Sequence, residues 1–176
     1  MNRNQFGASI ALSVGILVGL VIALFLLRYT NKNHRMRTEY DEMQKQVMNQ
    51  GYMYAFYTVL VLEALLCVVG GFWEIPAVPF VLHFIPIFLG VTVQACYCVW
   101  KNAYVGLNTN VRRYLAVAIA ATAINLLSAV MAIVNGSMVE NGILQFPAVN
   151  LMCAVMFGVL GAVLLLRKAA DRGEEE

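Results

Sequence analysis

One carboxylate and one imidazole stand inside long apolar stretches of this chain: Glu63 and His83. Leaving the cysteines aside, they are the ionisable groups read at membrane depth. The amides Gln94, Asn125 and Asn150 join them as the polar candidates. Polar groups in hydrocarbon are costly, so each needs a hydrogen-bonding partner or a task. A lone carboxyl can stabilise a helix–helix contact, or carry a proton for a coupled transport step. Depth is read at 1.5 Å of rise per residue. Glu63 then lies about 16 Å from the inner end of its stretch, near the midplane. Asn125 falls at a similar depth, His83 and Asn150 in the outer third, and Gln94 somewhat inside the midplane. Two polar levels follow, Glu63 with Asn125 and His83 with Asn150, each closed by a bond between helices. An ionised side chain at that depth costs ~2.5–3.5 kcal/mol on insertion scales. Glu63 is therefore expected to face the bundle interior, protonated, and to share a hydrogen bond with Asn125.

The elements that position these groups follow from composition. In 176 residues, 61% are hydrophobic and 12% charged. An ordinary soluble domain has roughly 45–50% and ~25%. That excludes a soluble enzyme, a disordered tail, a nucleic-acid binder and a disulfide scaffold. Five stretches are long enough for the ~20-residue helix that a bilayer requires: about Ala8–Arg28, Tyr52–Trp73, Phe80–Trp100, Tyr114–Val134 and Pro147–Arg167. The first is too long for a signal-peptide core and lacks a cleavage signature, so it reads as a retained helix. The expected fold is all-α: one integral membrane domain, a bundle of five transmembrane helices.

Eleven of the twelve Lys and Arg residues fall between spans one and two, between spans three and four, or in the C-terminal tail. Positive charge stays in the cytoplasm. The expected topology has the N-terminus outside and the C-terminus inside, in a multi-pass cell-membrane protein. The outer connections carry turn signals, Pro76 and Pro79 in one, Asn135-Gly136 and Asn141-Gly142 in the other. Each hairpin has a polar residue at mid-depth in its first helix and a proline opening its second, a pattern an old duplication would leave. Pro86 removes one intrahelical hydrogen bond and reads first as a proline that a membrane helix tolerates, with a kink beside His83 as the alternative.

Small residues predict close helix contacts: Gly15 and Gly19 in span one, and Ala154, Gly158 and Ala162 in span five. These serve packing within the bundle or, in span one, a homo-oligomer contact. The cysteines Cys67, Cys96, Cys98 and Cys153 all lie in spans and read as buried thiols. The sequence holds no nucleotide loop, zinc motif, nucleophile elbow or acid pair. No cofactor, metal site or catalytic residue is expected, nor a nucleic-acid partner.

The inner segment from Tyr29 to Gly51 is the one sizeable polar piece, and its part at about 38–51 carries a helical pattern. Thr38 and Asp41 have capping-box spacing. Tyr40, Met43 and Val47 then share a helical face, and Asp41 and Lys45 are spaced to pair. A short amphipathic helix on the inner leaflet, running on into span two, is expected. It reads as a topology-setting linker, as a docking helix for a membrane or cytoplasmic protein partner, or as a binder of lipid headgroups.

Thr38-Glu39-Tyr40-Asp41-Glu42-Met43-Gln44, followed by Gly51-Tyr52-Met53-Tyr54-Ala55-Phe56-Tyr57-Thr58, resembles a juxtamembrane segment of small uncharacterised membrane proteins of Gram-positive bacteria. Those read Asp-Glu-Arg-Gln and then Gly-x-x-Tyr-x-Phe-Phe-Thr; here Met43 replaces the Arg. The resemblance implies a bacterial cytoplasmic membrane and brings no activity. The functional expectation is a non-enzymatic accessory, regulatory or assembly component. The alternative is a small transporter or ion-coupled carrier using Glu63.

Overall fold

The computed structural model describes residues 3–173, with side chains from Leu17 to Asp171. Five helices follow one another: α1 (Arg3–Thr30), α2 (Glu42–Phe72), α3 (Pro79–Trp100), α4 (Val111–Val134) and α5 (Ala148–Gly173). Between α4 and α5 lies a minimal hairpin, β1 (Val139–Glu140) and β2 (Ile143–Leu144). The helices α2 to α5 are each long and apolar enough to cross a membrane. The described part of α1 adds a shorter apolar stretch, Leu17–Thr30.

Helix starts follow local chemistry. The N-cap of α2 is Asp41, not Thr38. Its carboxylate accepts from the Gln44 backbone N–H at 2.7 Å, while Gln44 Oε1 accepts from the Asp41 N–H at 3.3 Å. Aspartate accepts such a bond as readily as threonine, and the reciprocal partner is the glutamine three residues on. Tyr40 is thus left outside the helix. Lys45 pairs with Glu42 at 2.6 Å rather than with Asp41, whose carboxylate caps the helix. From Glu42 the helix runs unbroken through span two. A proline opens α3, and Asn110 caps α4 by accepting from the Arg112 and Arg113 N–H groups. Pro86 is fully buried, and α3 continues through it.

The helices pack in the spatial order α2, α3, α5, α4, and α1 meets α4. One apolar core joins Val81, Ala129, Ala132, Met138, Ala148 and Val149; a second joins Ala95, Val99, Leu160 and Leu164. Helix α2 sits at the margin, packed on α3, and none of its most apolar stretch is buried.

The two ends of the bundle differ in chemistry. At one end the connection 73–78 meets the hairpin. Leu144 accepts from the Val78 N–H at 3.0 Å and donates to Pro76 O at 2.8 Å. Asn141 and Gly142 turn the hairpin at φ +51° and +79°, and Gly136 follows α4 at φ +69°. Those are the left-handed turns their Asn-Gly sequences predict. This end carries Glu74 and Glu140 and no Lys or Arg in its connections. The other end gathers the segment 31–41, the loop 101–110 and the last turns of α5, and with them the described Lys and Arg side chains.

At that basic end the chain ties a polar knot. Asn31 is 0% exposed. Its amide donates to Arg35 O at 2.8 Å, and its Oδ1 accepts from Thr109 Oγ1 at 3.1 Å. Asn108, also buried, accepts from the Glu39 N–H at 2.9 Å and donates to Arg37 O at 3.0 Å and Asn33 Oδ1 at 3.2 Å. Gln44 spends its remaining donors on Asn102 O and Val105 O, both at 3.1 Å. Gly106 lies against this weave: a Cβ there would meet the Thr38 side chain and come within 2.8 Å of Glu39 O. Tyr104 Oη accepts from the Tyr114 hydroxyl at 2.7 Å. Burial, with Tyr114 alongside, pushes the Tyr104 phenol far above its ordinary range, so it stays neutral. The segment 31–41 does not run free: Asn31, Asn33, Arg37 and Glu39 bond to the loop 101–110. Of the helix expected over about 38–51, Thr38–Asp41 is not helical, whereas Glu42–Gly51 forms the first turns of α2 and runs on into span two as expected.

Candidate intramembrane site

Glu63 lies nine residues before the end of α2, about 14 Å along the helix. His83 lies in the second turn of α3. Glu63 Oε2 and His83 Nδ1 stand 2.8 Å apart, within hydrogen-bonding distance. Their side chains are 30% and 59% exposed, on a surface that no other helix covers among the described residues.

Close packing of α2 on α3 produces this meeting. A Cβ at Gly90 would come within 2.6 Å of Val59 Cγ2 and 3.1 Å of Ala55 O. One at Gly51 would come within 2.9 Å of Cys98 Sγ. These two glycines let the backbones approach, and Tyr97 adds a bond to Gln50 Oε1 at 2.6 Å. Along the interface Gly51 faces Cys98, Ala55 and Val59 face Gly90, and Glu63 faces His83. Continued, that register sets the end of α2 level with Ile75–Ala77. Helix α3 therefore opens deeper than the end of α2, and His83 reaches the level of Glu63.

The two expected polar levels are not formed. Asn125 donates to Ala121 O of its own helix at 2.8 Å, far from Glu63 in the helix order. The physical reason is the order itself: α3 and α5 stand between α2 and α4. His83 is taken by Glu63, and among the described residues the side chain of Asn150 has no hydrogen-bond partner. Gln94 sits beside Gly51 and donates to Cys98 Sγ at 3.6 Å. Cys98 is fully buried, whereas Cys67 is exposed.

The predicted packing residues divide as well. Ala154 is buried and Gly158 faces Thr122 Cγ2 at 3.7 Å, which fits a contact of α5 with α4. Ala162 is exposed. Gly19 has open space around it, so it makes no bundle contact. The side-chain surroundings of Gly15 lie outside the described residues. Gly51 and Gly90, which do hold two helices together, are not among the packing residues singled out from the sequence. Gly51 and Ala55 form a small-xxx-small pair that the sequence did carry, whereas Gly90 has Pro86 and Gln94 four residues away and no small partner.

Chemically, the pair can accept and donate one hydrogen bond more from outside, or pass a proton between two titratable atoms. No family model, no curated protein and no solved structure matches this chain.

Proposed function

We propose that this chain is a non-enzymatic accessory or assembly component of a bacterial cytoplasmic membrane, and that it joins its partner through the Glu63 and His83 face of α2 and α3. The observation that carries this reading is an acid–imidazole pair in the apolar part of α2 and α3, on a face that no other helix covers among the described residues. An ionised side chain at that depth costs ~2.5–3.5 kcal/mol, while a hydrogen bond between membrane helices contributes about 0.6 kcal/mol on average and ~1.7 at most. One mutual bond does not offset the cost of two polar groups in lipid. A covering helix that excludes lipid and bonds the outer atoms reduces that cost. The partner is a transmembrane helix of another protein or of a second copy.

The orientation that fits this reading keeps the basic end in the cytoplasm, following the positive-inside rule, with α1 as a fifth span. The test is co-purification from native membranes in mild detergent. The wild-type chain brings down a stoichiometric partner, or a second copy, and Glu63→Leu loses it while remaining folded. Equal recovery with both chains contradicts the reading.

A second reading has an observation of its own. Two titratable atoms 2.8 Å apart at depth form the smallest unit that can relay a proton. For an ion-coupled carrier, Glu63→Gln in proteoliposomes folds normally and abolishes flux driven by a pH gradient. For an assembly component no such flux exists to lose.

A further inference from the structure

At the basic end, far from Glu63, a half-open cavity of about 580 Å³ lies between the last turn of α3, the loop 101–110, the start of α4 and the last turns of α5. Lys32, Arg112, Arg167 and Lys168 line it, brought from three separate segments, against a single carboxylate, Asp171. Asp171 is already engaged by Arg167 at 2.8 Å. Arg167 Nε donates to Asn102 Oδ1 at 3.1 Å, and Asn102 is itself fixed in a left-handed turn at φ +56°. The guanidinium is thus aimed and its position set by the knot. Among the described residues Lys32, Arg112 and Lys168 have no ion-pair partner.

A hydrophobic chain has no need to collect four cations around one hollow for topology alone, since charges dispersed over the same surface set orientation equally well. Converging like charges repel unless an anion sits among them. The wall supplies the second half of the pattern. Val99 and Leu164 line the same cavity one turn deeper in their helices than Asn102 and Lys168. A polar, cationic mouth above an apolar wall at the end of membrane helices matches an amphiphile with an anionic head. Arginine and lysine together suit phosphate oxygens, the former as a fork and the latter as a point charge. We propose that this cavity binds a phosphate-bearing anion, supplied by the headgroup of an anionic phospholipid of the leaflet at the basic end.

The test uses the purified full chain in neutral detergent and fluorescent phosphatidylglycerol or phosphatidylcholine as probes. Phosphatidylglycerol is expected to bind about tenfold tighter than phosphatidylcholine, a difference worth about 1.4 kcal/mol. The double variant Arg112→Gln with Lys168→Gln is expected to lose that preference, with its melting temperature in lipid-free detergent unchanged. The control Lys45→Gln with Lys101→Gln removes the same charge from the same end outside the cavity and is expected to keep it. Equal binding of the two lipids by the wild-type chain overturns the proposal. So does retained preference in the cavity variant, or equal loss in the control. Inorganic phosphate separates the sources. If it fails to displace the lipid, the headgroup reading stands; if it displaces the lipid fully, the lipid source is overturned and a soluble phosphate compound is the ligand.

Discussion

The knot at the basic end and the Glu63–His83 pair are both polar clusters in an apolar chain, and they are handled in opposite ways. In the knot, Asn31, Asn108, Thr109 and Gln44 are buried, and their donors and acceptors are taken up by this chain's own backbone and side chains. Among the described residues no buried side-chain nitrogen or oxygen is left without a partner. In the pair, each group has one partner and an open side. The contrast separates polar groups that hold a fold from polar groups that wait for something outside it. It also says how each should answer to substitution: removing polarity from the first harms the isolated chain, and removing it from the second does not.

The largest effect is expected in the knot. Asn108→Ala removes three hydrogen bonds, from the Glu39 N–H and to the Arg37 carbonyl and Asn33 Oδ1, each worth about 0.5–1.5 kcal/mol net. A loss of about 2–4 kcal/mol is expected, read as a lowered unfolding midpoint in detergent. An unchanged midpoint would mean that the knot is ornamental. Gly90→Val comes next. Its side chain would run into Val59 and the Ala55 carbonyl, an overpacking of about 1–3 kcal/mol that drives α2 from α3. The readout is the double variant Glu63→Cys with His83→Cys, in a background where the native cysteines are replaced. Its disulfide forms readily with Gly90 present and slowly with Val in its place.

Glu63→Leu reverses the sign. On a lipid-facing surface an apolar side chain replaces a costly carboxyl, so the isolated chain is expected to be at least as stable as the wild type. A destabilisation like that of Asn108→Ala would erase the distinction between the two clusters. The smallest perturbation maps the ends. Single cysteines at Leu107 and Ser137, both exposed, replace single residues outside every cluster. An impermeant maleimide on intact cells is expected to label Ser137→Cys and not Leu107→Cys. Asn108, although in the same loop, is unsuitable because it is a buried member of the knot.

The helices were legible because hydropathy is a local property. The stretch Phe80–Trp100 and the helix Pro79–Trp100 differ by one residue. The turns at Asn135-Gly136 and Asn141-Gly142 were legible for the same reason, since positive φ favours these residues wherever they stand. The start of α2 was misread because capping spacing fits both Thr38 and Asp41, and only the reciprocal bond of Gln44 decides between them. The knot was not legible. Asn31 and Thr109 are far apart in the chain, and nothing near either predicts the other. Glu63 and His83 were both singled out, but they were sorted to different depths. That sorting measured each from the end of its own span, and α3 begins deeper than α2 ends.

The assembly claim is tested most directly by photocrosslinking in native membranes. A benzoylphenylalanine at Leu60, one turn from Glu63 on the same face of α2, is compared with one at Leu127 on the exposed face of α4. Both positions are exposed in the isolated chain, at 52% and 65%. The account predicts a discrete protein adduct from Leu60, of the mass of a partner or of a second copy, and lipid adducts alone from Leu127. Lipid adducts alone from both positions, or crosslinks from Leu60 only within the chain, would contradict it.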